Sequence, residues 1–199
     1  MPDANCFGLD CDVSIPSGAD HMAAFIEDKF GCIDLLVAAA GVLRVAGGNI
    51  FSLQDTPLED FEEIIRINLT GTFLANHAVL PMMIRQKSGC IINLSSTSGR
   101  KGYAFDTCYC ASKFGVIGMT EALAEELRPK GVRVCAVLPG AIETDMWDQN
   151  GPIPRPETLL PVERVAQLIT EIACCPDDVE LAEVIIEPFQ QLERPAWRN

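Results

Sequence analysis

The 199-residue sequence predicts an α/β protein in which helices cover both faces of a doubly wound parallel sheet. Two observations lead to this prediction. Short apolar runs alternate with longer amphipathic stretches, and the runs stop at glycine, proline or small polar residues. An uninterrupted apolar run is typical of a strand that is buried on both faces of a parallel sheet. The expected organisation is one domain spanning residues 1–199, without an internal repeat or a linker.

Each predicted helix has its own local signal. Helix 16–30 repeats apolar residues at helical spacing, helix 57–86 opens with a proline and acidic residues, and helix 107–128 is followed by Gly131. The stretch 141–160, rich in proline and glycine, indicates a loop with at most a short helix. In chain order, the predicted elements are strand 7–11, helix 16–30, strand 33–39, helix 57–86, strand 90–94, helix 107–128, strand 132–138, helix 161–173 and strand 181–187.

The composition narrows the possible partners. The formal net charge of −13 argues against nucleic acid or an anionic membrane, because both are bound by clustered Lys and Arg. No apolar run reaches the length of a membrane span, and the N-terminus lacks the basic and apolar regions of a signal peptide. The nine cysteines contain no CxxC pair and the two histidines stand apart from them, so we expect no metal site. We therefore expect reduced thiols in a cytoplasmic protein.

Residues that could take part in binding or catalysis follow the predicted strands at the points where these strands end. The first four predicted strands are followed in turn by Asp12, by Gly41, by Ser95 and Ser96, and by Pro139 and Gly140. The carboxyl ends of parallel strands meet at one edge of a sheet, and ligands bind there in doubly wound folds. The sequence therefore predicts a binding site at this edge.

Tyr109 and Lys113 are the central candidates for chemistry. They lie four residues apart on a predicted helix, so the phenol and the ammonium project from the same face. A nearby cation favours the phenolate and lowers a tyrosine pKa from about 10, which suits proton transfer. Taken singly, this pair fits an exposed helix without function, Ser96 fits an ordinary turn, and Asn68 fits a solvated helix position. Only their combination points to a catalytic site.

Six segments also occur in an order and spacing typical of one family. They are CDVS (11–14), IDLLVAAAG (33–41), IRINLTGTF (65–73), GCIINLSSTSG (89–99), YCASKFGVIGMTEALAEEL (109–127) and VCAVLPGAIETDM (134–146). On these segments the chain resembles the short-chain dehydrogenase/reductase family, in its single-domain branch with a YxxxK active site. The resemblance covers nearly the whole chain, and it implies a Rossmann-like fold.

The resemblance also implies roles for individual residues. Tyr109 would be the general acid/base, Lys113 would lower its pKa and hold the nicotinamide ribose, and Ser96 would hold the substrate oxygen. Asn68 would position a water that links Lys113 to solvent. The implied cofactor is NAD or NADP, and the implied substrate is a small-molecule alcohol or carbonyl compound. The implied cofactor-binding residues are Asp12, Val13, Ala39, Ala40, Gly41, Tyr109, Lys113, Pro139, Gly140, Ile142 and Thr144.

Two features depart from the family pattern. The family's NNAG is AAAG at residues 38–41, so two bracing Asn side chains are replaced by alanine. The glycine-rich TGxxxGxG turn that receives the pyrophosphate does not occur in the sequence, so we predict a doubly wound sheet lacking the first βαβ unit. Strand 33–39 then becomes a bare apolar edge. We expect strand 7–11 either to pair across with strand 33–39 or to be poorly ordered.

Two functions remain open at this level. The first is an NAD(P)-dependent oxidoreductase that interconverts an alcohol and a ketone, of which this chain is an N-terminally shortened copy. The second is a catalytically inactive relative that acts as a binding or oligomerisation partner, or a non-functional fragment. Met1 resembles an internal methionine or a misplaced gene start, and an in-frame TGxxxGxG segment upstream would favour the first function.

The resemblance and the loop 141–160 carry two further expectations. Helices 57–86 and 107–128 correspond to surfaces that pair subunits in the family, so we expect a homodimer or homotetramer. Met146 and Trp147 in the loop suggest an apolar pocket for a carbonyl compound with hydrophobic bulk. Without the glycine-rich turn, we expect weak binding of NAD(H) or NADP(H) by this chain alone.

Overall fold

The computed structural model describes residues 5–45, 50–151 and 153–189. Their strands form a parallel sheet in which neighbouring strands follow the order of the chain. The strands are β1 (Leu35–Ala38), β2 (Gly89–Leu94), β3 (Val132–Pro139) and β4 (Glu183–Ile186). Each of them lies within two residues of a predicted strand. The predicted Rossmann-like architecture with parallel strands is therefore confirmed.

Five α-helices among the described residues connect and cover these strands. They are α1 (Pro16–Phe30), α2 (Leu58–Ile65), α3 (Gly71–Gln86), α4 (Thr107–Leu127) and α5 (Val162–Ala173). The sequence predicted one helix over 57–86, whereas the structure joins α2 to α3 through a π-helical turn at Arg66–Thr70. The loop 141–160 contains a short 3₁₀ helix at Asp145–Asn150, as expected. No helix in the described ranges is long and apolar enough to cross a bilayer.

Two apolar cores lie on opposite faces of the sheet. Ile91 of β2 packs into a core shared with α1, α3 and α4, whereas its neighbour Ile92 packs into a core shared with α5. Both side chains are 0% exposed. Consecutive residues of a strand point to opposite faces, so a sheet covered on both faces requires apolar residues at every position. This requirement explains the uninterrupted apolar runs in the sequence.

The predicted strand at 7–11 is wrong. Residues 5–12 form irregular chain, and within the described part of the molecule β1 pairs with β2 alone, so the pairing across to β1 does not occur. Phe7 instead packs edge-on against Phe25 and Phe30 of α1, with ring centroids 6.5 and 5.8 Å away, under the Lys29 ammonium. A strand needs a hydrogen-bonded neighbour, and the composition of FGLDC cannot supply one.

Candidate active site

A cleft of about 660 Å³ opens where β1, β2 and β3 end. Ala39 reaches it directly after β1, Ser95 and Ser96 directly after β2, and Pro139 at the end of β3. A second, apolar wall comes from the α5 residues Val162, Val165, Ala166 and Ile169. The cleft thus lies at the edge of the sheet where the sequence places the site.

Most of the predicted site residues meet in this cleft. Those that line it are Ala39, Gly41, Ser96, Tyr109, Lys113, Pro139, Gly140, Ile142 and Thr144. The lining does not include Asp12, Val13, Ala40 or Asn68. The structure therefore groups three of the four candidates for catalysis on one surface and leaves the predicted adenine contacts outside it.

Tyr109 and Lys113 lie in the first two turns of α4 and are both buried, at 8% and 5% exposed. Burial raises the pKa of Tyr109 to about 12, and the adjacent Ser96 hydroxyl opposes this shift. Burial also lowers the pKa of Lys113 to about 8. The pKa of Tyr109 therefore moves in the direction opposite to the one expected from the sequence, because the loss of solvent around a phenolate outweighs the other influences.

The Lys113 side chain is fixed by the last residue of β2. Its Nζ donates a hydrogen bond to the Leu94 carbonyl oxygen at 2.9 Å and lies 5.6 Å from the centre of the Tyr109 ring. The Ser95 hydroxyl donates to the carbonyl oxygen of Lys113 at 2.9 Å. Gly99 packs so closely that a Cβ there would lie 2.8 Å from the same oxygen. The loop after β2 and α4 therefore form one tightly packed unit.

Asn68 lies beneath the cleft, in the π-helical turn, and is 0% exposed. Its Oδ1 accepts from the Val42 N–H, and its Nδ2 donates to the Val42 carbonyl oxygen, both at 2.8 Å. The same Nδ2 donates to the Ser112 hydroxyl at 3.0 Å, and that hydroxyl donates to the Tyr109 carbonyl oxygen at 2.7 Å. Such turns are common at functional sites. Here the turn connects the loop after β1 to the helix that carries Tyr109.

Asp12 is engaged in local contacts. Its Oδ1 accepts from the backbone N–H and from the hydroxyl of Ser14, at 2.9 and 2.6 Å, and its Oδ2 lies 3.9 Å from Arg66 Nη1. The hydrogen bonds from Ser14, with a smaller effect of Arg66, lower the pKa of Asp12. Gly18 is required nearby, because a Cβ there would lie 1.9 Å from the Asp12 carbonyl oxygen. These contacts shape the start of α1.

Several residues that build the site were not predicted from the sequence. Ser112 connects Asn68 to Tyr109, and Arg44 connects the loop after β1 to residues 105, 106 and 150. These contacts join residues far apart in the chain, so no local sequence pattern predicts them. The α5 wall did carry a signal, since Val162, Val165, Ala166 and Ile169 share one helix face.

No cysteine in the described part of the chain lines the cleft, although Cys108 and Cys110 flank Tyr109 in α4. All nine are free thiols, and burial raises the pKa of Cys90 and raises that of Cys135 to about 12. These two thiols therefore stay protonated at neutral pH. Within residues 5–45, 50–151 and 153–189, no group of three or more His, Cys, Asp or Glu side chains is placed to hold a metal ion.

The fold and the cleft agree with a comparison to known families. The model of a family described as short chain dehydrogenase matches residues 3–153, and the chain belongs to this short-chain dehydrogenase/reductase family. The 3-oxoacyl-[acyl-carrier-protein] reductase of Synechocystis sp. is 41% identical over 140 residues, which are 70% of this chain and 55% of that protein. The D-threitol dehydrogenase of Mycolicibacterium smegmatis is 34% identical over 182 residues, which are 90% of this chain and 65% of that protein.

Solved structures show the same relationship. The crystal structure of levodione reductase has a TM-score of 0.85 at 26% identity, over 93% of this chain and 77% of that one. A metagenomic short-chain oxidoreductase in complex with NADP has a TM-score of 0.73 at 31% identity, over 91% and 73% of the two chains. This chain therefore spans between about half and three quarters of the length of the proteins that it matches here.

Proposed function

We propose that this chain is an NAD(P)-dependent oxidoreductase that interconverts an alcohol and a ketone. The observation that carries the proposal is the grouping of Ser96, Tyr109 and Lys113 in one cleft at the carboxyl ends of the strands. Family membership supports the reaction class. Reductases and dehydrogenases among the similar proteins support it further.

The described residues fit the nicotinamide end of such a cofactor, which would supply the hydride when bound. A Cβ at Gly41 would lie 3.2 Å from Asn68 Oδ1 and 3.6 Å from Lys113 Nζ, so a glycine lets this loop pass close to both groups. The Lys113 ammonium would hold the ribose, and the loop with Pro139 and Thr144 would lie along the ring. One similar structure holds NADP, and both NAD and NADP stay open for this chain.

Adenine contacts from Asp12 and Val13 rest on the family resemblance alone. Neither residue lines the cleft, and the Asp12 carboxylate is engaged by Ser14 and Arg66. A role for Ala40 in cofactor binding likewise rests on the resemblance. The support from geometry is therefore confined to the half of the cofactor that reacts.

Proton transfer is assigned to Tyr109. A pKa raised to about 12 keeps the phenol protonated at neutral pH, so it is suited to donate a proton to the alkoxide oxygen that carbonyl reduction creates. The Ser96 hydroxyl would donate a hydrogen bond to the same oxygen. The nearby Lys113 ammonium would stabilise the phenolate left behind. Because the pKa of Lys113 is about 8, we expect the reduction rate to fall as pH rises through that value.

The proposed substrate is a carbonyl compound with an apolar body. The α5 wall of Val162, Val165 and Ile169 faces the cleft together with Met146 and Trp147. Apolar walls with a few placed polar groups are typical of small-molecule sites. The apolar body would lie on these walls, while Ser96 and Tyr109 would hold the oxygen.

The test replaces Tyr109 by Phe in a preparation first shown to bind NADPH or NADH. Reduction of a ketone should fall by about 10²- to 10⁴-fold, the usual contribution of a general acid. Tyr103→Phe is the matched control, because Tyr103 also lines the cleft but is 44% exposed. It should retain most of the activity. Full activity of the Tyr109→Phe variant would remove Tyr109 from the proposed mechanism.

A second candidate is a catalytically inactive relative that acts as a binding or oligomerisation partner. A thermal shift by micromolar NADPH or NADH would argue for the oxidoreductase. Oligomer formation without cofactor binding would favour the inactive partner.

We further propose that residues 1–199 act as a single domain in a homodimer or homotetramer. Phe61 of α2, Phe73 of α3 and Phe114 of α4 are 36%, 49% and 46% exposed, so these helices present apolar surface that a second copy can cover. Light scattering after gel filtration tests this assembly. The free thiols suit a cytoplasmic location.

A further inference from the structure

Arg44 is a largely buried arginine in the loop after β1, outside the proposed catalytic group. Its side chain is 9% exposed. Nη1 donates to the Phe105 carbonyl oxygen at 3.0 Å, and Nη2 donates to Asp106 Oδ1 at 2.5 Å and to Asn150 Oδ1 at 3.1 Å. The planar guanidinium can make these contacts at the same time, because its donors point in fixed, divergent directions. One side chain therefore joins three segments of the chain.

The backbone of the same loop makes a second connection to the third segment. The N–H groups of Leu43 and Arg44 both donate to Gln149 Oε1, at 2.9 and 3.2 Å. Gln149 lies in the 3₁₀ helix 145–150, whose Met146 and Trp147 line the cleft. The loop after β1 thus holds the helix that forms one wall of the cleft.

The second segment held by Arg44 is a strained turn. Phe105 has a φ of 67°, in the left-handed region that is uncommon for an aromatic residue. Such a conformation persists where surrounding contacts fix it, and Arg44 holds the carbonyl oxygen of this residue. Asp106 comes next and immediately precedes α4, three residues before Tyr109. Arg44 therefore also holds the start of the helix that carries the proposed proton donor.

We propose that Arg44 is a positioning residue, a latch that holds helix 145–150 against the start of α4. With the latch closed, the apolar wall around Met146 and the Tyr109 hydroxyl keep a fixed spacing across the cleft. Moving helix 145–150 away requires the loss of the Arg44 contact to Asn150 and of both backbone contacts to Gln149. The effect on the KM for the substrate rests on the proposed oxidoreductase function, whereas the latch itself does not.

Hydrogen exchange measured by mass spectrometry tests the latch without any need for activity. In Arg44→Met, amides in residues 42–45 and 145–150 should exchange about tenfold or more faster, because charge-assisted hydrogen bonds are lost. Arg155→Met is the matched control. Arg155 pairs with Asp148 on the same segment, but the two side chains are 46% and 70% exposed. Exchange in Arg155→Met should equal that of the parent protein. Unchanged exchange in Arg44→Met would overturn the proposed latch.

A second variant covers the case in which Arg44→Met does not fold. Arg44→Lys keeps the charge but lacks the planar fork, so faster exchange is expected there too, and parent-like exchange would overturn the proposal. In an active preparation, Arg44→Met should raise the KM for the carbonyl substrate about tenfold with kcat changed less than about threefold. If the parent protein reduces no carbonyl compound, the proposed function fails, while hydrogen exchange still decides on the latch.

Discussion

The two ends of the proposed cofactor site are built in different ways. At one end, Tyr109 and Lys113 are buried side chains on a long helix that packs against the loop after β2. At the other end, the exposed Asp12 carboxylate is held by its near neighbour Ser14 and by Arg66 on the surface. Buried, satisfied polar networks fix a geometry strongly, whereas exposed ion pairs contribute little.

The reacting end is therefore the preorganised part of the proposed site. The reacting end is held by the same contacts that hold the core together. A substitution that removes them therefore lowers stability and also displaces the reacting groups. The Asp12 end can be altered with little effect on the rest of the fold.

Replacing Asn68 by Ala should have the largest effect on stability. The change removes both hydrogen bonds to Val42 and the one to Ser112 from a site without solvent. The free energy of unfolding should fall by about 2–4 kcal/mol, because buried partners are left unsatisfied. Urea unfolding measures the change. Asn5→Ala, at an exposed position, should stay within about 0.5 kcal/mol of the parent. A loss below about 1 kcal/mol in Asn68→Ala would contradict the contrast.

Replacing Lys113 by Met should change how stability depends on pH. The folded-state pKa of Lys113 is lowered from 10.5 to about 8, so between these values the unfolded chain binds more protons than the folded one. The buried ammonium should therefore contribute a rise in stability of about 2 kcal/mol across this window, while the raised pKa values of Tyr109 and Cys135 act in the opposite direction in parent and variants alike. Chemical unfolding at pH 8 and near pH 10 measures this rise.

Between these pH values the parent should gain about 2 kcal/mol relative to Lys113→Met. Lys101→Met should keep the pH dependence of the parent, because Lys101 is exposed and its replacement leaves the buried ammonium in place. Equal pH dependence in the parent and in Lys113→Met would show that the ammonium is solvated, and the reacting end would then resemble the Asp12 end.

Replacing Gly99 by Ala should disturb the packing between α4 and the loop after β2. A Cβ at this position would lie 2.6 Å from Ile117 Cδ1 and 2.8 Å from the Lys113 carbonyl oxygen. Such overpacking should cost about 1–2 kcal/mol of stability. Gly102→Ala is the control, since its Cβ would meet no atom within 4 Å. Thermal unfolding of both variants checks the prediction, and equal midpoints would count against tight packing at this loop.

Replacing Asp12 by Ala should have the smallest effect. The carboxylate is exposed, Arg66 also pairs with Glu63, and the buried Ser14 hydroxyl keeps its contact with Arg66. The pKa of Asp12 is lowered in the folded state, so any contribution is present near neutral pH and is lost as pH falls. The unfolding midpoint at pH 7 should stay close to that of the parent. A loss as large as that of Asn68→Ala would refute the contrast between the ends.

The sequence predicted the helices and four strands because buried parallel strands leave a strong local pattern. It also predicted that Ser96, Tyr109 and Lys113 meet, since strand ends and helix faces fix their positions. The strand at 7–11 failed because strand formation depends on a neighbour as well as on composition. The predicted lowering of the Tyr109 pKa was wrong for a related reason. A spacing of four residues reveals a nearby cation but not how deeply the phenol is buried.

Long-range polar contacts were also beyond the reach of the sequence. Arg44 lies more than 60 residues from Phe105 and more than 100 from Asn150, and nothing in its neighbourhood marks it as buried. The π-helical turn likewise has no compositional signal. It becomes visible only when Asn68 is seen to face Val42 and Ser112.

That turn bears on how the length of the chain can vary. A π-helical turn is about one residue longer than an α-helical turn, while α2 and α3 on either side are regular. Deleting a single residue from 66–70 would let the turn close into an ordinary helix and leave the register of both flanking helices intact. The hydrogen bonds between Asn68 and Val42 would be lost. A relative with a one-residue gap here would thus keep the fold and lose the bridge beneath its cleft.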